Sequence, residues 1–244
     1  MKKTIHIVLF LALLCTATQN IKAYNPLDSD SRFSFSFLMG WDGLGETPFE
    51  GLRTMPNAYS TRPWLNSWQI EVGYDILRKD NLRVFAGIGY ESDVFLFDWP
   101  FVDVDYTNYE PATLVGFDYY STYDDGTYVL EENDYYESRL VTRYITIPIG
   151  FDYTFDGGFT CGATIVTGVN YTTSNTGLKY SVNGFDQLNW RVDMTDYTRP
   201  VKCDLRINAG TRNIRFFVQL PLTPLFVNLD RTIYPLKFGF MLKY

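Results

Sequence analysis

LKFGFMLKY, residues 236–244, is the stretch on which the reading of the whole chain turns. Leu236, Phe238, Phe240, Leu242 and Tyr244 fall on one face of an extended strand, and Lys237, Gly239, Met241 and Lys243 on the other. Side chains alternate with period two along a strand, so this one is apolar on one side and charged on the other. Whether its apolar side meets a protein core or a lipid depends on the other strands.

Seven more segments alternate in the same way: FSFSFLMGW (33–41), WQIEVGYDI (68–76), LRVFAGIGYE (82–91), YITIPIGFDY (144–153), FTCGATIVTGVNY (159–171), VKCDLRINAG (201–210) and IRFFVQL (214–220). Each implies a strand of about ten residues. The links between them alternate in length. Residues 78–81, 156–158 and 212–213 are tight turns, whereas 42–67, 98–138, 172–200 and 221–233 are long. Short and long links then emerge at opposite ends of an up-and-down sheet, the layout of an outer-membrane barrel. The expected fold is all-β: an eight-stranded antiparallel up-and-down transmembrane β-barrel with long outer loops. In a ten-stranded alternative, a hairpin within 98–138 joins the wall.

A soluble exported barrel that binds an apolar ligand would turn the apolar faces inward. Three features favour lipid instead. Gly73, Gly87, Gly89, Gly150, Gly162, Gly168, Gly210 and Gly239 lie on the charged face, where a narrow lumen leaves little room. Trp41, Trp68, Tyr90, Tyr153, Phe159, Tyr171 and Tyr244 lie near the ends of the apolar face, as interfacial girdles require. The last strand also ends on an aromatic. An unpaired edge is too costly in hydrocarbon, so the eighth strand must close on the first.

Residues 1–23 read as a secretory signal peptide, with Lys2 and Lys3 before an apolar run from Ile5 to Cys15. A lipid anchor on Cys15 is the alternative, but Leu14 before it is bulky where small residues are wanted. The mature domain is 24–244. Removing residues 1–23 takes away Lys2, Lys3 and Lys22, leaving 18 basic residues against 28 acidic ones, a net charge of −10. Nucleic acid is therefore not expected as a partner. The single histidine, His6, goes with the signal peptide. Histidine is the usual general base at neutral pH, so no enzymatic activity and no catalytic residue are expected. No metal site or cofactor is expected either. The strand assignments start Cys161 and Cys203 at opposite ends of adjacent strands, beyond the ~7 Å Cα separation that a disulfide tolerates.

The polar faces place six acids and six bases in the lumen: Glu71, Asp75, Glu91, Asp93, Asp152 and Asp204 with Arg83, Lys202, Arg206, Arg215, Lys237 and Lys243. Such balance suggests a packed network of ion pairs, not an ion path. Residues 98–138 differ in kind, with eleven Asp or Glu, eight Tyr and no Lys or Arg. Asp125-Gly126 between β-rich runs is a hairpin signal, as is Asn183-Gly184 in the next long loop. This acidic, tyrosine-rich loop is the expected recognition surface, carried by Tyr106, Tyr109, Asp118, Tyr119, Tyr120, Tyr123, Asp124, Asp125 and Tyr128. A basic or carbohydrate partner would meet both its charge and its rings. No EF-hand spacing accompanies the carboxylates.

The terminal amphipathic strand ending in an aromatic resembles the assembly signal of bacterial outer-membrane barrels. YITIPIGFDY (144–153) resembles the strand built around an Ile-Pro pair in the small PorT-like, OmpX-like barrels of Bacteroidota. In pattern the resemblance covers 67–244. It implies a bacterial outer-membrane location, with outer-membrane lipid and the insertion machinery as partners, and no settled activity. The expected role is non-enzymatic, structural or surface-binding through the outer loops, with a narrow channel or an accessory of transport or surface assembly as the alternative.

Overall fold

Tight turns set the geometry of the sheet. Asp80 adopts a left-handed φ of 48° between two strands, and Gly158 a φ of 80° in another turn, conformations that Asp and Gly accept at low cost. At the third turn, the Thr211 hydroxyl lies 3.1 Å from both the N–H and the carbonyl oxygen of Ile214. The computed structural model describes residues 32–45, 47–48, 67–97, 103–105, 110–113, 134–181, 187–227 and 232–244. Its strands are β1 (Phe33–Gly45), β2 (Ser67–Lys79), β3 (Leu82–Phe97), β4 (Asp103–Asp105), β5 (Glu110–Thr113), β6 (Asp134–Thr154), β7 (Phe159–Ser181), β8 (Gln187–Asp193), β9 (Val201–Thr211), β10 (Ile214–Pro221) and β11 (Tyr234–Lys243). One 3₁₀ turn spans Thr195–Tyr197.

Eight of these strands close a wall in the order β1-β2-β3-β6-β7-β9-β10-β11, every pair antiparallel, with β11 returning to β1. Ser36 opposite Lys243 and Gly45 opposite Tyr234 mark the ends of that closing ladder. Tyr244 extends it by exchanging backbone hydrogen bonds of 2.8 and 2.9 Å with Phe35. On the outer surface of the seam, Trp41 stacks on Phe238 at 5.3 Å, and Phe216 meets Phe238 and Phe240 at 6.3 and 6.1 Å.

The wall corrects three expectations. The ten-stranded alternative fails, because β3 pairs with β6 directly out to Phe97 opposite Ser138, and β4 and β5 pair only with each other. The second long connection is shorter than 98–138, since Asp134–Ser138 belong to β6 and face Ser181–Gly177 of β7. Strands of about ten residues are too short a description of β6 and β7, which have 21 and 23. Both run on past the wall, where β8 adds to β7 with Tyr180 opposite Gln187, forming a three-stranded ribbon. Asn183-Gly184 lies between these paired strands, outside the described residues, as does Asp125-Gly126.

Burial is inside out relative to a water-soluble protein. Val72, Ile88, Ile145, Ile147, Ile149, Phe151, Ile165, Val169, Ile207 and Phe240 are exposed on the outer face, whereas all twelve charged residues assigned to the lumen are buried. A soluble barrel with its apolar face inward is thereby excluded. Inward glycines bring the wall close to its own side chains. A Cβ on Gly40, which lies opposite Gly239 across the seam, would stand 2.7 Å from the Phe238 carbonyl oxygen and 3.3 Å from the Phe217 ring.

Candidate functional site

The lumen is the largest polar constellation among the described residues, and its charges are layered along the barrel. Nearest the tight turns, Asp75 binds Arg83 and Arg78, the latter reaching it across a bulge after Asp75 in β2. Asp152 then takes Arg215 at 2.7 Å on one oxygen and Lys243 at 2.8 Å on the other. Arg215 also donates to Asn208 at 3.0 Å, and the Lys243 ammonium lies 4.0 Å from the centre of the Phe85 ring. On the β10-β11-β1 side an apolar layer follows, in which Leu38, Phe217 and Met241 pack together fully buried. Across from it Arg206 binds Glu71 at 2.7 Å, and Gln69 donates to the same Glu71 oxygen at 2.7 Å.

Toward the long loops, Glu91 holds two ammonium groups on one oxygen, Lys202 at 2.5 Å and Lys237 at 2.6 Å. Lys237 also reaches Asp93 at 2.5 Å and Lys202 reaches Asp204 at 3.0 Å, while Gln219 donates to Asp204 at 2.8 Å. The Lys202 ammonium stands 4.7 Å from the centre of the Tyr144 ring. These pairs join β3, β9 and β11 through the interior, so the lumen is filled by side chains bonded to one another. Chemically the arrangement neutralises charge within the wall.

Sequence reasoning missed one member. Asp42 lies opposite Lys237 on β1, both its oxygens are buried without a hydrogen-bond partner, and it feels the charges of Asp93, Lys237, Glu91 and Lys202. The signal was available, since Ser34, Ser36, Leu38, Gly40 and Asp42 alternate with the aromatic face of β1. With Asp42 counted, the balance becomes seven acids to six bases, and it is uneven along the axis. The long-loop half holds Asp42, Glu91, Asp93 and Asp204 against Lys202 and Lys237, whereas the tight-turn half holds Asp75 and Asp152 against Arg83, Arg215, Lys243 and the rim residue Arg78. Apart from Arg206 Nε in the central pair and Arg199 Nε above the long-loop half, the unpartnered atoms of charged side chains follow the same division: Asp42 Oδ1 and Oδ2 and Glu91 Oε2 in one half, Arg83 Nη2 and Arg215 Nε in the other.

Above the long-loop half, two segments bond to each other. Arg199 donates its N–H to Leu225 at 2.8 Å, Val227 to Tyr197 at 2.9 Å and Leu225 to Ile233 at 2.8 Å. Leu44, Met194, Leu225, Phe226, Ile233 and Leu236 are buried at this end. Tyr106, Tyr109, Asp118, Tyr119, Tyr120, Tyr123, Asp124, Asp125 and Tyr128 lie outside the described residues, so the expected recognition surface has no described geometry. Cys161 and Cys203 are free thiols; Cys161 faces Ala209, and Cys203 faces Thr167, six positions further along β7. Among the described residues no group of three His, Cys, Asp or Glu is arranged to hold a metal ion.

The architecture is of the outer-membrane type: a closed eight-stranded barrel, apolar outside and charged inside, with tight turns at one end and long connections at the other. No protein-family model matches the chain, and no curated protein does. Among solved structures it is similar to Ail, the attachment invasion locus protein of Yersinia pestis, at 8% identity and a TM-score of 0.31, over 87% of this chain and 97% of that one. It is also similar to the outer membrane protease OmpT from Escherichia coli, at 13% identity and a TM-score of 0.36, over 73% of this chain and 63% of that one.

Proposed function

We propose that the protein is a non-enzymatic barrel of the bacterial outer membrane that holds a surface-binding site outside the cell on its long connections. The observation that carries this reading is the contrast between its two polar parts. Inside, acids and bases are bonded to one another across the lumen. Outside, β6 and β7 continue beyond the wall, and β3 is joined to β6 by residues 98–133, whose acids have no basic residue among them. A charge of one sign costs self-repulsion, which a soluble surface or an oppositely charged partner offsets. A basic or carbohydrate partner suits the interleaved tyrosines. Export through residues 1–23, assembly by the insertion machinery and kinship with PorT-like barrels of Bacteroidota belong to the same reading, the last supported by YITIPIGFDY.

The test is to replace 98–133 by a short Gly/Ser turn. The barrel should still fold and show heat-modifiable migration in detergent, because β3 and β6 keep their mutual pairing and shortening a loop lowers its closure cost. Binding of the protein-bearing cells to a basic or glycan-coated surface should be lost. Undiminished binding would remove the site from this loop.

A further inference from the structure

Beyond the apolar band, three arginines stand on the outward face of β6 and β8. Cross-strand register orders that face into rows. Tyr90, Ile145 and Val169 form the last apolar row. Outward of it come Trp68, Ser92, Arg143 and Thr172, then Val94, Val141, Ser174 and Asp193, then Leu96, Arg139, Thr176 and Arg191. Arg143 thus shares a row with Trp68, whose ring packs 5.4 Å from that of Tyr90 in the interfacial girdle. Arg139 lies four residues further along β6, about 13 Å at ~3.3 Å per residue.

Arg139 and Arg191 are exposed and Arg143 is half-buried, while Val94, Val141 and Ser174 between them are covered. Among the described residues, neither Arg139 nor Arg143 has an ion-pair partner. Asp193 is the one acid in these rows. The Thr195 N–H and hydroxyl donate to its Oδ1 at 2.9 and 2.6 Å and hold its carboxyl below the usual range, so it stays ionised beside Arg191. Three guanidinium groups against one carboxylate leave these three rows positive in a chain where acids outnumber bases 28 to 21; the next acid in register on this face, Glu137, stands in the row beyond, opposite Leu178.

We propose that this face docks the phosphorylated headgroup of an anionic outer-leaflet lipid, with Arg143 at the phosphate next to the acyl chains and Arg139 with Arg191 at a second anionic group further out. The proposal rests on the reading that the barrel spans the outer membrane. Guanidinium forks match phosphate oxygens in a bidentate way that a lysine does not reproduce. Position selects a lipid over a soluble anion: Arg143 is held on Trp68's row, where acyl chains give way to headgroups.

The experiment reconstitutes the full chain in phosphatidylcholine nanodiscs doped with a bisphosphorylated glycolipid or with the same glycolipid after phosphatase treatment, and counts bound glycolipid by native mass spectrometry. Wild-type protein should retain the phosphorylated form at least five-fold over the dephosphorylated one. An Arg139→Gln, Arg143→Gln, Arg191→Gln variant should lose that preference, and the three Arg→Lys changes should keep only part of it. Equal retention of the two glycolipids by wild-type protein, or an unchanged preference in the Gln variant, would overturn the proposal. The comparison of lipids on wild-type protein stands even where the Gln variant does not fold. A soluble phosphorylated oligosaccharide that binds as tightly as the lipid would overturn the lipid assignment. Wild-type protein that never enters nanodiscs would overturn the membrane reading itself, a result distinct from insertion without phosphate preference.

Discussion

Asp42 and Lys237 face each other across the seam between the first and last wall strands, yet their removal should act in opposite directions. Lys237 carries Asp93 and shares Glu91 with Lys202, so Lys237→Met strands the buried Asp93 carboxylate, leaves Glu91 to Lys202 alone, and should cost about 3–5 kcal/mol, the usual penalty for breaking a buried ion pair. Asp42→Asn removes a buried carboxylate whose oxygens have no hydrogen-bond partner, and should leave stability unchanged or raise it by about 1 kcal/mol. Urea unfolding in lipid vesicles separates the two cases, and a loss on Asp42→Asn comparable to that on Lys237→Met would mean that Asp42 neutralises the lysine. Gly40→Val tests the seam at the same scale: its side chain runs into the Phe238 carbonyl and the Phe217 ring, and about 1–3 kcal/mol should be lost in the same titration. The faces of these residues were legible in the sequence because period two needs nothing but local alternation. Asp42 escaped because the aromatic face of its segment ends at Trp41, one residue earlier, and only the weaker alternation of Ser34, Ser36, Leu38 and Gly40 carries the strand on through it. Which charge pairs with which was not legible at all, since the partners, such as Lys237 and Glu91, are brought together only when the sheet closes.

At the level of strands, the seam and the ribbon are the informative parts. β11 carries LKFGFMLKY, and its closure on β1 is finished by Tyr244 bonding to Phe35. Replacing Tyr244 by Asn keeps those backbone bonds, so the folded barrel should lose less than about 1 kcal/mol, while assembly into the membrane of living cells should slow. Pulse-chase assays of heat-modifiable migration measure the second effect and unfolding titrations the first; unchanged assembly kinetics would deny the aromatic a part in insertion. Strand number and order were readable from alternating link lengths, which record the up-and-down path directly. Strand length was not. Beyond the band, neither face of β6 and β7 meets acyl chains, so the hydrophobic alternation stops although the ladder goes on to Asp134 opposite Ser181. A bulge marks the change, where Arg143 and Tyr144 face Thr172 and Asn170 and Tyr171 is the extra residue.

Taken as one body, the barrel is plugged and electrically polar along its axis. Leu38, Phe217 and Met241 separate a positive tight-turn half from a negative long-loop half on the seam side of the lumen. Wild-type protein in a planar bilayer should show no steady conductance. Phe217→Ala should open a small leak whose current–voltage curve is asymmetric, because cations and anions meet opposite fixed charges at the two ends. A silent Phe217→Ala barrel would show that the ion pairs alone seal the lumen, and a conducting wild type would restore the channel reading. The long ladder between β6 and β7 has a mechanical consequence. Every residue of β6 from Asp134 to Thr154 has a register partner on β7, from the ribbon down to the tight turn. A tug on one strand of the ribbon along its length loads many of these bonds side by side, in shear, rather than peeling them one after another. Rupturing the ribbon along its strands therefore takes a larger force than opening it from one side.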